Sequence, residues 1–400
     1  METDKFIAKI EGHGSLNVDW DKEEVKLRTH EGERLFEGML VGRTLEESHW
    51  ITPRICGVCP IAHNLASLAA CEAGLEIKIS ETSKLLRELM VCGQMLQSHS
   101  LHLFFLALPD YLGIDRGTEL AAKNPKAFQA ALAIKEVSDD IAFVVAGRNV
   151  HPTTTAIGGF HKIPAKKQLE ELLNKIKKTR TSAELALKIC LGIKFPALKV
   201  SLEFLAIDEE SKIILSGKGE KTEIKDYKRD IEEEIRENST AKFGSYKKRE
   251  IFVGSLARLY HFLPDGNLRS FLDFENPFHN NLAQAIEILL YRKEAEEILE
   301  KLLKIKLEND KPSFIKIKEG AGIGAIEAPR GGLYHELHFD EKNIITYANI
   351  ITPTVQNLTS IEKSASELLK QNKNASREKT ERLLEMLVRA YDPCITCSVH

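Results

Sequence analysis

From residue 60 to residue 108 the apolar positions recur at helical spacing. "AHNLASLAACEAG" is rich in Ala and Leu and stops at Gly74, and "SETSKLLRELMVCGQMLQSHSLHLFFLAL" opens on a Ser/Thr cap signal and runs to the residue before Pro109. The same spacing predicts long helices over 124–148, 164–190, 280–306 and 355–391. Residues 5–30 alternate instead, as in "SLNVDW" and "EVKLRTH", which predicts a short antiparallel pair at the N-terminus. Between 196 and 262 the pattern is mixed: "KVSLEFLAI" and "SKIILSG" read as strands, and "DYKRDIEEEIREN" reads as an exposed charged helix. The whole charged stretch 218–250 reads as a solvated face.

This pattern predicts a mostly α (α+β) fold, a long-helix bundle core with small peripheral β elements. No long linker, repeat or low-complexity block interrupts it, so one large domain is expected over 1–400. Within it, an N-terminal β and metal-motif segment covers about 1–60, the helical core about 61–195 and 280–400, and a mixed α/β insertion about 196–265.

Composition changes the picture only by exclusion. A net charge of −3 offers no basic footprint for nucleic acid. "LHLFFLALP" is among the longest apolar runs, far short of the roughly 18 residues that span a bilayer. The start, METDKFIAKIEGHG, has neither an apolar signal core nor a cleavage site, so a cytoplasmic location is expected. Seven cysteines are too few and too unevenly spaced for a disulfide scaffold. Cys71, Cys92 and Cys190 fall in predicted helices and read as small buried hydrophobes.

The other four cysteines carry chemistry. Cys56 and Cys59 stand in "TPRICGVCPIAH", with His63 four residues later, and Cys394 and Cys397 stand in the final "DPCITCSVH". A Cys-x-x-Cys pair lets two sulfurs reach one metal from a single turn, and two pairs provide four thiolates. That suits a closed zinc site or a soft-metal cluster. Three features speak against structural zinc. The pairs lie at opposite ends of the chain, the first is set in helix-rich apolar sequence, and Arg54, Asp392 and His400 flank them without a use in such a site. A chain terminus usually frays. Two cysteines and a histidine in the last seven residues therefore imply either a loose thiol-bearing tail or a terminus that is buried and held.

These residues resemble the two signature motifs of the nickel–iron hydrogenase large subunit. The resemblance spans essentially all of 5–400, in order: "IEGHG" at 10–14, "RLFEGMLVGR" at 34–43, "GRNVHPTTTAIGG" at 147–159, "STAKFGSYKKREIFVGSLAR" at 239–258, "GAIEAPRGGLYHEL" at 324–337 and "NIITPTVQN" at 349–357. It implies a hydrogenase large-subunit-like fold, reversible heterolytic cleavage of H2 to protons and electrons, and a buried C-terminus. A peptidase of this family removes an extension just after the motif histidine, so a chain ending at His400 is expected to be processed or encoded without one.

The resemblance also implies roles. Cys59 and Cys397 would bridge nickel and iron, while Cys56 and Cys394 bind nickel alone; the iron would carry one carbon monoxide and two cyanides. Arg330 and Thr354 would donate to the cyanides, and the Arg330 guanidinium would stand over the open metal position. Cys394 would accept the proton and Glu11 relay it, with a carboxyl pKa raised by a low-dielectric setting. Asp392 would orient Arg330, and His63 would donate to the Cys59 sulfur. A second, hard ion, magnesium or ferrous iron, would take Glu37, the Ile350 carbonyl and His400.

Two positions depart from the pattern. Ser98 stands where many members have an aspartate facing the arginine, and Asn238 where histidine is expected. The compact length and "LHLFFLALPD" resemble the cytoplasmic cofactor-coupled group. Too few cysteines remain for iron–sulfur clusters, so an iron–sulfur small subunit near the N-terminal motifs is expected. Further cofactor-reducing subunits, a maturation peptidase and nickel chaperones are implied as well. Two alternatives stay open at this point: a quinone-site subunit of respiratory complex I, which shares the fold but lacks the four cysteines, and a zinc-stapled structural protein.

Overall fold

The structure is a computed structural model that describes residues 2–208, 212–215, 220–237, 239–308 and 318–400. Asn238 and the ends of "SKIILSG" lie outside the described residues. The N-terminal alternation forms not a pair but a three-stranded antiparallel meander, β1 (Glu2–Ile7), β2 (Gly14–Asp19) and β3 (Glu24–Thr29). Two short helices follow, α1 (Phe36–Leu40) and α2 (Leu45–Ile51). In α2 the Thr44 hydroxyl and the Glu47 side chain close a reciprocal cap. A 3-10 turn at Thr52–Ile55 then delivers Cys56.

The helical core begins with α3 (Pro60–Leu75) and α4 (Glu81–Leu101), the latter capped by Ser80. The chain does not stop before Pro109 as the pattern suggests. A π turn at His102–Ala107 leads into α5 (Leu108–Leu112), and the Leu108 N–H reaches back five residues to the Leu103 carbonyl. Pro109, which has no N–H to give, closely follows this π turn, whose wider bonding interrupts the regular helical ladder. Next come α6 (Leu120–Lys123), α7 (Pro125–Ala146) and the small hairpin β4 (Thr155–Ala156) and β5 (Gly159–Phe160). The periodic stretch 164–190 divides at Thr179 into α8 (Lys166–Lys178) and α9 (Arg180–Leu191).

The middle of the chain corrects the sequence reading. β6 (Glu203–Ile207), β7 (Lys212–Leu215) and β8 (Lys221–Glu223) form a sheet, but the expected charged helix is only α10 (Tyr227–Asp230) running into β9 (Ile231–Glu234). β9 pairs with β10 (Phe243–Tyr246), and β11 (Ile251–Phe252) joins β6 in parallel. Nor is 218–250 simply a solvated face. Tyr227, Ile231 and Tyr246 anchor a second hydrophobic cluster with Tyr334 and Ile351. The buried residues are few and widely spaced among charged neighbours, so no period marks them.

After α11 (Ser255–Phe262) and α12 (Asn280–Lys304) comes an antiparallel sheet, β12 (Gly320–Ala328), β13 (Gly331–Phe339) and β14 (Ile345–Ile351), inside a range expected to be helical. β13 is buried along nearly its whole length, so it shows no alternation for sequence reasoning to find. β12 lies directly on α3. A Cβ at Gly322 would fall 2.0 Å from the Ala70 carbonyl oxygen, and one at Gly324 2.2 Å from that of Ala66. The small residues of both elements exist to let backbone meet backbone. The chain ends through α13 (Pro353–Gln371), α14 (Arg377–Ala390) and the single turn α15 (Ile395–Ser398). The main hydrophobic cluster includes residues from Ile7 to Val399, so both ends of the chain pack into one core. Cys71, Cys92 and Cys190 are buried free thiols, as expected. Among the described residues no helix is long and apolar enough to cross a membrane.

Candidate metal centre

The terminus is held, not loose. All of residues 391–400 are buried except half-buried Thr396. The Ile395 N–H donates to the Glu11 carbonyl at 2.8 Å, the Arg34 N–H to the Val399 carbonyl at 2.9 Å, and the Arg34 guanidinium to the Thr396 carbonyl. This stitching brings the two ends of the chain together at four sulfurs. Sγ of Cys56 is 3.6 Å from that of Cys394, Cys59 is 3.5 Å from Cys397, and Cys394 is 2.7 Å from Cys397. All four cysteines are free and buried. Cys59 sits at the N-cap of α3, and the Cys394 N–H donates to the Thr354 hydroxyl at 2.9 Å. That leaves the Thr354 O–H free to donate elsewhere.

A small cavity adjoins the sulfurs, lined by Cys59, His63, Arg330, Thr354, Cys394 and Cys397, among others. Arg330 occupies the two-residue tip between β12 and β13, where Ala328 pairs with Gly331. Gly331 takes φ +131°, and a Cβ there would fall 2.5 Å from a Val253 methyl, so the tip is set by close packing as well as by its turn. Arg330 donates from Nε to the Asp392 carbonyl at 2.6 Å and from Nη2 to Asp392 Oδ1 at 2.9 Å. Asp392 reaches this geometry in a left-handed conformation, φ +52°. Nη1 of Arg330 is buried without a partner, and so is the hydroxyl of Ser98. A buried guanidinium N–H left open beside four thiols fits an acceptor that belongs to a bound group.

Sequence reasoning found Arg330 and Asp392 but not what holds them. Gln284 donates to Asp392 Oδ2 at 2.9 Å, and its amide oxygen lies 2.5 Å from His102 Nδ1. Arg258 donates to the Ala328 and Pro329 carbonyls, each at 2.9 Å, and so fixes the strand end that carries Arg330. Its charge is balanced by Glu287 and Glu327, each at 2.7 Å. Both Arg258 and His102 stand in stretches that the sequence already marked, "IFVGSLAR" and "SHSLHLFF". Only their partners, brought in from distant helices, give them a role.

The electrostatics follow from burial. Hydrogen bonds from Cys394, then Cys397 and Cys59, hold the Cys56 thiol well below its ordinary value, while burial above all pushes Cys394 and Cys397 up. A metal-free cluster would give up its first proton readily and resist the next, a balance that a bound cation reverses. Burial would lower Arg330, but the charges of Asp392 and then of the cysteines outweigh it and keep the guanidinium cationic. Glu11 is half-buried, and desolvation first, then the Cys56 charge, raises its carboxyl, with Arg330 opposing. Its main chain forms a bridge to Cys394. His63 Nδ1 lies 3.2 Å from His335 Nε2, and His63 lines the same cavity as Cys59. Burial pushes the His63 ring down to about 3 and His335 well below its usual range, so the pair is neutral.

The second expected site also assembles. His400 Nε2 lies 2.6 Å from the Ile350 carbonyl oxygen and 3.8 Å from Glu37 Oε1, while its Nδ1 faces the Cys397 carbonyl at 2.7 Å. A neutral imidazole has one N–H, so two carbonyls against its two nitrogens call for a ring proton at both or a cation at one. Burial would raise Glu37, but the His400 hydrogen bond and charge and the Ile350 N–H bring it down to about 2. Lys242 and Glu233, unforeseen from sequence, complete the cluster. The lysine lies 3.2 Å from Glu37 and 3.3 Å from Glu233, and Glu233 Oε1 is buried with no partner. Oxygen donors with an orphaned carboxylate atom fit a hard cation.

Fold and site define a largely helical protein whose two chain ends close on four buried thiols, a donor set that suits a soft metal. A nickel-dependent hydrogenase family model matches residues 34–140 and 274–400. The α subunit of sulfhydrogenase 1 from Pyrococcus furiosus is 33% identical over 98% of this chain and 96% of its own length. The β subunit of the NAD-reducing hydrogenase HoxS from Cupriavidus necator is 26% identical over 98% and 93%. A solved NAD+-reducing NiFe hydrogenase in the H2-reduced state shares the fold with a TM-score of 0.88, at 24% identity and over 100% and 99% of the two chains. The chain belongs to the nickel-dependent hydrogenase family, as the large subunit of a nickel–iron hydrogenase, an oxidoreductase acting on H2.

Proposed function

We propose that this chain splits H2 reversibly and heterolytically at a nickel–iron centre with one carbon monoxide and two cyanides, held by Cys56, Cys59, Cys394 and Cys397, and passes the electrons to an iron–sulfur small subunit. The observation that carries this reading is the convergence of four thiols from opposite ends of the chain, 2.7–3.6 Å apart, beside a buried Arg330 N–H without a partner. When bound, the metal pair supplies a Lewis-acidic position at which H2 is polarised. The chain's residues do the rest. Arg330, locked to Asp392, presents a fixed positive charge to the cavity, and donors already in place need no reorganisation during reaction. Cys394 takes the proton, and Glu11, bridged to it through the main chain and raised in pKa, passes it on. Thr354 offers an O–H donor and Arg330 an N–H donor to the cyanides.

In this reading Glu37, the Ile350 carbonyl and His400 hold magnesium or ferrous iron, which ties the terminus to α1. The small subunit covers the exposed apolar side chains near the N-terminal motifs, among them Phe6, Leu35, Met39 and Val41. As in the subunit names of the relatives, further cofactor-reducing subunits complete the enzyme, and a peptidase and nickel chaperones mature it in the cytoplasm. Metal analysis with infrared spectroscopy tests the centre. One nickel and one iron per chain, with separate bands from bound carbon monoxide and cyanide, are expected. Zinc with no such bands would refute the reading.

A further inference from the structure

A second cluster of metal-ligating side chains stands apart from the centre, on the helix that leads to Cys56. Glu46 and His49 are three residues apart on α2 and share a face of that helix. His161 follows the β4–β5 hairpin. One ligand atom from each lies within 4.8 Å of the others, and His161 Nε2 is 3.7 Å from Glu46 Oε1. Zinc–nitrogen bonds of roughly 2.0–2.1 Å at tetrahedral angles set neighbouring ligand atoms about 3.4 Å apart, so little closure is needed. The side chains of His161 and Glu46 are exposed.

His49 supplies the observation that points to a ligand. It is 0% exposed, and neither ring nitrogen has a hydrogen-bond partner of normal geometry. A buried imidazole without partners leaves a desolvation cost unmet. Two further details free the set for this role. Glu47, not Glu46, closes the α2 cap with Thr44, and the His161 main chain is pinned by its N–H to the Thr154 carbonyl at 2.7 Å. Trp50 stacks along His161, with ring centroids 6.1 Å apart at 15°, and limits its orientations.

We propose that Glu46, His49 and His161 form a binding site for a zinc-type divalent cation, distinct from the four-cysteine centre. Two imidazoles and one carboxylate suit a borderline-soft cation, with the fourth position open to water. A cation there clamps α2, and through it the turn before Cys56, onto the β4–β5 hairpin. This inference does not depend on the proposed nickel–iron chemistry.

The test uses the purified, metal-loaded full-length protein, with Zn2+ added against a competing chromophoric chelator, and Co2+ as a spectroscopic probe. Wild type should take up one extra equivalent with a Kd below 10 μM and melt at a higher temperature when Zn2+ is present. His161→Gln and Glu46→Gln, on exposed side chains where folding is not at risk, should each weaken that binding at least tenfold and abolish the thermal shift, with H2 turnover unchanged. Equal uptake by wild type and both variants would overturn the site, as would a wild type that binds no extra equivalent.

Discussion

Replacing Arg330 by lysine keeps the charge and removes the planar fork. In the native geometry Nε and Nη2 are both committed to Asp392, at 2.6 and 2.9 Å, and Nη1 remains in the cavity wall without a partner. A lysine ammonium is a single point donor. It can satisfy Asp392 or reach the cavity, but it cannot do both in a fixed orientation. Losing one preorganised donor costs roughly two to three orders of magnitude in turnover, about 2.7–4 kcal/mol. The fold should survive. Gln284 still donates to Asp392, Arg258 still holds the Ala328 and Pro329 carbonyls, and one lost charge-assisted bond costs about 1.5–3 kcal/mol. Turnover of Arg330→Lys is measured as H2-dependent reduction of an artificial dye, on protein whose nickel, iron and infrared bands have been quantified. Wild-type turnover with a normal centre would show that Arg330 only supports structure. Loss of the metals would show that it builds the centre and does not act on the reaction.

Cys394→Ser should abolish hydrogen–deuterium exchange while circular dichroism stays near wild type, because nickel loses a thiolate and the helical core loses nothing; retained exchange would remove Cys394 from the metal set. Glu11→Gln keeps shape and hydrogen bonding but cannot relay a proton at neutral pH, so para/ortho-hydrogen conversion should persist while exchange with solvent deuterium falls. Loss of both would assign Glu11 to the site's integrity. Glu287→Gln leaves Arg258 with one carboxylate fewer in the core and should cost about 3–5 kcal/mol in denaturant unfolding at neutral pH. Burial would raise Glu287, but Arg258 and then His99 hold it at about 2 against a model-compound value of 4.5. Its stabilisation is therefore complete above about 4.5 and lost as the pH falls toward 2. The variant should show a shallower acid limb than wild type, and parallel limbs would contradict the assignment.

By itself the sequence determined the parts whose signal is local. Helical spacing of apolar residues located α3, α4, α7 and α12, because each is one continuous segment of good helix formers. Cysteine spacing marked both halves of the centre, because two sulfurs one turn apart can serve one metal wherever they are placed. The resemblance to a known family then supplied candidate roles for Glu11, Arg330, Asp392 and His400. Tertiary structure alone decided the rest. β13 lacks alternation because nearly its whole length is buried, and the charged stretch near β9 set the buried Tyr227, Ile231 and Tyr246 among charged residues. No spacing rule could pair His63 with His335, set Gln284 on Asp392 or bring Lys242 to Glu37, since these partners are separated by 272, 108 and 205 positions. A buried polar atom takes its partner from whatever element folds against it, and that choice is made by packing in three dimensions.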